Sequence, residues 1–318
     1  MAAPSAALER VDGGTRAALI VNRGAGTGEC EARAREVQGQ LLDAGLAVDL
    51  TLAASGEELV AAARRAVQAR APVVVAGGGD GTQSAVASVL AGTGIAQGVL
   101  PMGTLNHFAK DLGLPLDLRE AAEVIVRGHT AEVDVAEVNG RTFINNSGLG
   151  LYPDIVLDRQ AQQRRLGKGK WRALANAIVH SARRYPMLAV HVRTEDRQIV
   201  RHTPFVFIGN NVYTMEGFAI GEREALDRGR LALYIAQRPG RFRLVAMAIS
   251  ALFHRLEQAR DFDVIEGQGF EIRSGMPSMR VATDGEVTRL EVPLVYRIRP
   301  RALRVRVAAD AAGAAKAA

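Results

Sequence analysis

The first part of the chain alternates short apolar runs with amphipathic stretches, a pattern typical of strands that alternate with helices. Strands are predicted at residues 17–21, 48–52, 72–76 and 98–100. Residues 29–44 and 55–69 are predicted to form helices between them, and Ser55 is the expected N-cap of the second. A third helix follows the strand at 72–76. This alternation predicts a mainly parallel sheet with right-handed crossovers.

The pattern becomes rich in strands near residue 132. Residues 132–138 and 141–146 flank Asn139-Gly140, a dipeptide that strongly indicates a tight hairpin. Further strands are predicted at 188–193, 199–208, 230–236, 270–274, 279–282, 288–292 and 303–307. Helices are predicted near 169–184 and 241–259. The second part is therefore expected to be an antiparallel sandwich or a barrel-like domain.

The predicted organisation is an α/β domain over residues 17–131 and a β-rich domain over residues 132–307. The last strand is a candidate to pack back onto the first domain. Residues 1–16 are small and polar, and the alanine-rich end at 308–318 shows no periodicity, so both are expected to be flexible tails.

Composition excludes several classes of protein. The 318 residues are 48% hydrophobic and 23% charged, unlike disordered, collagen-like or disulfide-scaffold chains. The single cysteine, Cys30, allows neither an intrachain disulfide nor a cysteine-based zinc site, and it is expected to be an inert helix residue in a reducing compartment. No signal peptide is visible, and the longest apolar run, 244–253, is too short to span a bilayer. A cytoplasmic location is expected.

The strongest chemical motif is GGGDGT at residues 77–82, directly after a predicted strand and before a helix. Ligands of open α/β sheets bind at this end of the strands. The glycines let the backbone approach a phosphate, and the helix N-terminus attracts its charge. Asp80 would repel phosphates without an intervening cation, so it suggests Mg²⁺ binding or proton transfer. The alternative is a glycine-rich turn capped by Asp80.

Two further loops have the same context. Residues 22–28 (NRGAGTG) follow the first strand, and residues 100–109 (LPMGTLNHFA) follow the fourth. Neither contains the G-x-G-x-x-G dinucleotide fingerprint, and the chain has no GxxxxGK[ST] P-loop, so a dehydrogenase or a P-loop enzyme is disfavoured.

Another candidate lies between two predicted strands of the second part, at residues 283–286 (TDGE). The functional interpretation is that Glu286 deprotonates an alcohol in a cleft between the domains. The alternative is an ordinary Asp-Gly hairpin turn followed by a solvated glutamate.

Together, the Asn22 loop, GGGDGT, the run LPMGTLNHFA and the late Asp284-Gly285-Glu286 resemble the diacylglycerol kinase catalytic-domain family, which includes bacterial lipid kinases and the sphingosine and ceramide kinases. The resemblance covers roughly residues 17–307. GGDGT alone also occurs in NAD kinases and phosphofructokinases, but GGDGT followed by P-x-G-T-x-N is specific to lipid kinases. The resemblance implies an α/β nucleotide-binding domain like those of NAD kinase and phosphofructokinase, followed by an antiparallel β-sandwich.

The resemblance also implies functional residues for the transfer of phosphate from ATP to a lipid hydroxyl. The residues implied to bind ATP are Asn22, Gly26, Gly77, Gly78, Gly79, Gly81, Thr82, Thr104 and Asn106. Asp80 would serve Mg²⁺ or the reacting hydroxyl, and Glu286 matches the general base. Asp227-Arg228-Gly229 stands where the family often has an Asp-Gly pair at a structural metal, so Asp227 is a candidate metal ligand.

The positive charge is concentrated in one segment. The chain has a net charge of +6, and residues 159–184 carry eight basic and no acidic residues, which leaves −2 for the rest. This segment also contains Trp171, the only tryptophan. A basic amphipathic helix with a tryptophan suits peripheral docking on an anionic membrane. The alternative is a solvated basic face on an ordinary helix.

Alternative functions remain at this stage. One is a kinase of a soluble substrate, like NAD kinase or phosphofructokinase; the other is a nucleotide-binding regulator without catalysis. Nucleic acid is not an expected partner, because the basic segment lacks interleaved aromatic residues. Diacylglycerol or a related lipid is the favoured substrate, although the sequence does not identify the lipid. A homodimer is a possible oligomeric state.

Overall fold

The computed structural model describes residues 14–24, 30–150, 153, 187–194, 197–216, 219–223, 225–236 and 262–308. The chain divides into two compact units. The first contains the chain up to Val135, Ala225–Asp227 and the chain from Pro300 onward; the second contains Ala136–Glu224 and Arg228–Arg299. The predicted helices at 169–184 and 241–259 lie outside the described residues.

Strands and helices alternate in the first unit, as predicted. The elements are β1 (Arg16–Asn22), α1 (Cys30–Asp43), β2 (Ala47–Ala53), α2 (Gly56–Gln68), β3 (Val73–Gly78), α3 (Asp80–Leu90), β4 (Ala96–Pro101), α4 (His107–Asp111) and α5 (Leu118–Arg127). The parallel sheet has the order β2-β1-β3-β4, and the end of the last strand, β18 (Leu294–Val307), pairs in parallel with β4. The predicted α/β class is confirmed.

The helices of this unit begin and pack as their sequences predict. Ser55 is the N-cap of α2, and its side chain accepts a hydrogen bond from the Glu58 amide at 3.2 Å. Glu58 in turn accepts from the Ala54 amide at 2.8 Å, so it pairs with the donor one residue before the N-cap rather than with the N-cap amide of a standard capping box. The apolar face of the sheet packs on α1 and α5 through a cluster that includes Leu19, Val21, Val75 and Leu100 from strands and Val37, Leu41 and Ile125 from helices.

A buried arginine on β18 holds the end of α5. Arg306 is 2% exposed, and its guanidinium donates to the backbone oxygens of Ile125 at 3.0 Å and Val126 at 3.4 Å, and to that of Gly128. The last carbonyls of a helix have no partner within the helix. Arg306 therefore satisfies the C-terminal carbonyls of α5 from a strand that is 180 residues away in the sequence.

Replacing this arginine should destabilise the first unit. We expect Arg306→Ala to lower the free energy of unfolding by about 2–4 kcal/mol, because it leaves buried carbonyls without donors. Arg304→Ala is the matched control on the same strand: Arg304 donates to Gly94 at an exposed position, so its loss should stay below about 1 kcal/mol. Urea unfolding measures the free energy of unfolding of both variants. An equal decrease in the two variants would contradict this role of Arg306.

The second unit is built from strands. Its elements are the end of β5 (His129–Val138), β6 (Arg141–Phe143), β7 (Asn146–Gly150), β8 (Leu188–Arg193), β9 (Gln198–Thr203), β10 (Phe205–Asn210), β11 (Tyr213–Glu216), β12 (Ala219–Arg223), β13 (Leu231–Ala236), β14 (Phe262–Gly267), β15 (Gly269–Arg273), β16 (Ser278–Thr283), β17 (Glu286–Glu291) and the start of β18. One antiparallel sheet has the order β14-β13-β10-β7-β16-β17, and β18, β15, β8 and β9 pair in a second.

The two sheets of this unit bury one core between them. The cluster includes Leu149, Val206, Leu233 and Val281 from the six-stranded sheet and Val190, Ile272, Leu294 and Tyr296 from the other. Burial raises the pKa of the Tyr296 hydroxyl, which hydrogen-bonds to Ser147 at 3.0 Å. The predicted antiparallel sandwich is confirmed, and Asn139 and Gly140 both have the positive φ of the predicted hairpin turn.

Several predicted boundaries are wrong. The single strand expected at 199–208 is two strands, β9 and β10, which are interrupted at Pro204 because proline donates no ladder hydrogen bond. The strand expected at 141–146 ends at Phe143, and a new strand begins at Asn146. Strands β11, β12 and β14 and helices α4 and α5 were not predicted.

Candidate active site

Three loops of the first unit leave the carboxyl ends of neighbouring strands. β1, β3 and β4 are adjacent in the parallel sheet, so the loops that follow them share one edge. The Asn22 side chain, at the end of β1, donates to the Thr82 hydroxyl at 3.1 Å. Asn22 and Thr82, both predicted to bind the nucleotide, are therefore in contact. Gly26 lies outside the described residues.

The glycines of these loops allow close approach of the backbone. A Cβ at Gly103 would overlap the backbone of Gly79, and a Cβ at Gly78 would overlap the Thr82 side chain. Gly79 is the N-cap of α3 and has no side chain over the first turn. The loop thus exposes backbone at the positive end of a helix, which favours an anion.

Asp80 links two of the loops. Its Oδ1 accepts a hydrogen bond from the Phe108 amide at 3.0 Å, in the first turn of α4. Asp80 therefore caps the helix of the neighbouring loop, a role that the sequence did not predict. Among the described residues, no hydrogen bond uses Oδ2, so one carboxylate oxygen remains for a cation or a hydroxyl.

The third loop is held by its own asparagine. Asn106 has a left-handed backbone (φ 50°), and its side chain accepts from the Gly103 amide and donates to the Gly103 carbonyl, both at 2.9 Å. The side-chain amide of Asn106 therefore holds the loop in its conformation. Thr104 is exposed on the same loop, with its hydroxyl available to a ligand.

A buried glutamine beneath the loops was missed. The Gln83 side chain donates to the Ala76 carbonyl at 2.9 Å, with longer contacts to Gly78 and Leu100, and its oxygen accepts from Gln97 at 2.9 Å. Gln83 thus bridges the ends of β3 and β4. The available signal was Gln97, a polar residue within an otherwise apolar strand.

The predicted carboxylate of the second unit lies at a tight turn. Asp284 and Gly285 have φ values of 48° and 82° and join β16 to β17, so the Asp-Gly hairpin is present. The Asp284 carboxylate accepts the amides of Ile144, Asn145 and Asn146 at 2.8, 2.8 and 3.0 Å. The turn is thereby fixed to the segment that connects β6 to β7.

The same segment is also held from its carbonyl side. Arg223 is 5% exposed and donates to the Ile144 carbonyl at 2.6 Å and to the Asn145 side chain at 2.9 Å. Asn210 donates to the Ile144 carbonyl as well. The sequence analysis predicted neither Arg223 nor Asn210, because nothing in the local sequence shows that these polar side chains are buried.

Glu286 begins β17, and its side chain is 57% exposed. Its Oε2 pairs with Nη2 of Arg141 at 2.7 Å. Among the described residues, no hydrogen bond uses Oε1. Glu286 therefore has one carboxylate oxygen held by Arg141 and one open to solvent. Its role as a base stays a prediction.

The remaining predicted sites stay predictions. Asp227 is exposed, and the described residues contain no group of three or more potential metal-ligating side chains. The basic segment 159–184 lies outside the described residues. None of the described helices is long and apolar enough to cross a bilayer.

Comparison with known proteins identifies the family. The diacylglycerol kinase catalytic domain matches residues 16–138, and the YegS C-terminal NAD kinase beta sandwich-like domain matches residues 153–307. A diacylglycerol kinase of Staphylococcus epidermidis is 30% identical over 238 residues, 70% of this chain and 71% of that protein. A YegS-like lipid kinase of Klebsiella pneumoniae is 38% identical over 130 residues, 40% of this chain and 43% of that protein.

Solved structures agree in fold. A diacylglycerol kinase from Bacillus anthracis str. Sterne aligns over 92% of this chain and 97% of its own, with a TM-score of 0.66 and 19% identity. The matching domains and the Staphylococcus relative show that the chain belongs to the diacylglycerol kinase family and is a lipid kinase, an enzyme that phosphorylates an alcohol acceptor.

Proposed function

We propose that the protein transfers the γ-phosphate of Mg²⁺-bound ATP to the hydroxyl of diacylglycerol or a closely related lipid. The observation that carries the proposal is the arrangement of the first unit, in which three loops share one sheet edge and Asp80 lies at the start of the helix between them. The name of the Staphylococcus epidermidis relative supports diacylglycerol as the acceptor.

The loops of the first unit would bind the phosphates of ATP. The chain has no P-loop lysine, so backbone amides and hydroxyls must provide most of the contacts. The amides of residues 79–81 and the exposed Thr104 hydroxyl are the available donors, because the Thr82 amide already donates to the Gly79 carbonyl and Gly77 and Gly78 lie within β3. Asn22 orients Thr82, and Gln83 fixes the ends of β3 and β4, so the donors are in place before the nucleotide binds.

Asp80 is suited to a magnesium ion. Mg²⁺ prefers oxygen ligands and binds through one or two carboxylates together with phosphate oxygens. Asp80 offers one carboxylate oxygen while the other is held by the Phe108 amide, so the ligand is oriented. The ion would neutralise charge on the transferred phosphate.

Glu286 would act on the acceptor. As the hydroxyl oxygen of the lipid forms its bond to the γ-phosphorus, the bond from that phosphorus to the bridging oxygen of ADP breaks. The hydroxyl proton passes to Oε1 of Glu286, since Oε2 is engaged by Arg141. ADP leaves with the bridging oxygen, and Glu286 returns the proton to water.

Close contact between two loops yields a prediction for nucleotide binding. We expect Gly103→Ala to raise the KM for ATP by about tenfold or more, because the new Cβ would force the Gly79 backbone away. Gly39→Ala is the matched control: it lies in α1 with open space around it and should leave the KM unchanged. A KM for Gly103→Ala equal to that of the control would contradict the proposed phosphate site.

Peripheral membrane association is also proposed, on the sequence of segment 159–184 alone. We expect the protein to sediment with vesicles that contain phosphatidylglycerol, and this binding should fall as salt is raised. Vesicles of phosphatidylcholine alone are the control. Equal sedimentation with both, or binding that is insensitive to salt, would contradict an electrostatic contact.

A panel of acceptors tests the proposed substrate class. Purified protein is incubated with γ-labelled ATP and Mg²⁺ and with diacylglycerol, a sphingoid base, ceramide or phosphatidylglycerol in mixed micelles, or with NAD in solution. Transfer of label to diacylglycerol above the other acceptors is expected. Transfer to NAD, with none to any lipid, would contradict the proposal.

A further inference from the structure

Arg141 of β6 contacts both residues that flank the turn before β17. Its Nε donates to the Thr283 hydroxyl at 2.9 Å, and its Nη2 pairs with Oε2 of Glu286 at 2.7 Å. Thr283 and Glu286 are cross-strand partners, with only Asp284 and Gly285 between them. One planar guanidinium thus spans the first and last residues of the hairpin turn.

This ion pair differs from ordinary pairs at the protein surface. Arg35 and Glu31 also pair at 2.9 Å, but both side chains are at least half exposed and belong to one helix. Such pairs contribute about 0–1 kcal/mol to the stability of the fold, partly because ordering two long side chains costs conformational entropy. Arg141 instead is anchored by Thr283, which is 3% exposed, and its own side chain is 35% exposed.

The anchoring has a consequence for Glu286. The Glu286 side chain is 57% exposed, so burial does not restrict its rotamers. The backbone beneath it is fixed, because Asp284 accepts three amides of the 144–146 segment. Among the described residues, the Arg141 pair is the side-chain hydrogen bond that sets where the carboxylate points.

We infer that Arg141 is a positioning residue for phosphoryl transfer: it holds Oε2 of Glu286 so that Oε1 faces the acceptor hydroxyl. The inference rests on the proposed role of Glu286 as the base. The guanidinium of arginine, with two adjacent N–H groups in a fixed plane, suits the positioning of a carboxylate better than lysine, which offers a flexible point charge. Its effect should appear in the chemical step, while ATP binding and the stability of the fold change little.

The test compares kcat, the KM for ATP and the melting temperature of three variants with those of the wild type. Arg141→Gln should lower kcat by about 10- to 100-fold, the loss expected from a misplaced reactive group. Arg141→Lys should recover part of it, since the charge remains. Arg289→Gln is the matched control: Arg289 donates to Ser278 at 2.7 Å at the other end of the same hairpin, so kcat should be unchanged.

A double variant separates positioning from other roles. In a Glu286→Gln background, Arg141→Gln should cause no further loss of kcat, because two residues that act as one unit are not additive. Multiplied losses would overturn the inference. So would an Arg141→Gln kcat equal to that of Arg289→Gln, or a loss of kcat matched by an equal fall in stability.

Different results would contradict the role of Glu286 as the base and the role of Arg141 in positioning it. If Glu286→Gln retains full activity, the proposed base is wrong and the inference about Arg141 falls with it. If Glu286→Gln is inactive while Arg141→Gln is as active as its control, only the positioning role falls.

Discussion

Glu286→Gln is expected to lower kcat for lipid phosphorylation by about 10²- to 10⁴-fold, the usual contribution of a general base. The amide keeps the shape of the side chain, and its oxygen still accepts from Nη2 of Arg141, so the hairpin should remain in place. The variant loses only the ability to take the proton of the hydroxyl. Initial rates at saturating ATP and lipid measure the effect, with circular dichroism as the check of folding.

Glu271→Gln is the matched control for this substitution. Glu271 lies on β15 of the same unit and pairs with Arg273, so the substitution removes the same charge from an arginine pair that the proposed mechanism does not use. Its kcat should stay within about twofold of the wild type, because Glu271 has no role in the proposed proton transfer. Similar kinetics of the two variants would rule out Glu286 as the base.

Asp80→Asn should have the second large effect, a fall in kcat of about 10²-fold or more, because charge neutralisation dominates phosphoryl transfer. The asparagine oxygen can still accept from the Phe108 amide, so α4 keeps its cap. The variant therefore separates the charge of Asp80 from its structural role. When the Mg²⁺ concentration is varied, the rate of Asp80→Asn should change less than the rate of the wild type.

Asp117→Asn provides the control for capping. Asp117 is the N-cap of α5 and accepts the amides of Arg119 and Glu120. The substitution has the same chemistry as Asp80→Asn and should leave the kinetics unchanged. Near-wild-type activity of Asp80→Asn, together with an unaltered Mg²⁺ dependence, would show that Asp80 serves only as a cap.

Local signals in the sequence predicted the parts of the fold that depend on few residues. The Asn139-Gly140 turn follows from the backbone preferences of two residues, and the Ser55 cap follows from a contact three residues away. The glycine loops were located by their position after apolar strands. In each case, the interaction that fixes the structure is local or follows a simple periodic rule.

Contacts between distant segments could not be predicted in this way. Arg306 reaches α5 across 180 residues, and Arg223 reaches the 144–146 segment across 78 or 79. The sequence marks each as one arginine among 36, with no sign that its guanidinium is buried. Asp80 was expected to serve Mg²⁺ or the reacting hydroxyl, or else to cap its own turn, but its contact with Phe108 arises only when the sheet brings two loops together.

The most direct test of the central claim is transfer of labelled γ-phosphate from ATP to diacylglycerol in mixed micelles, measured for the wild type, Glu286→Gln and Glu271→Gln in parallel. The proposed mechanism predicts labelled phosphatidic acid with the wild type and Glu271→Gln and almost none with Glu286→Gln. Equal label with all three proteins, or none with the wild type, would contradict it.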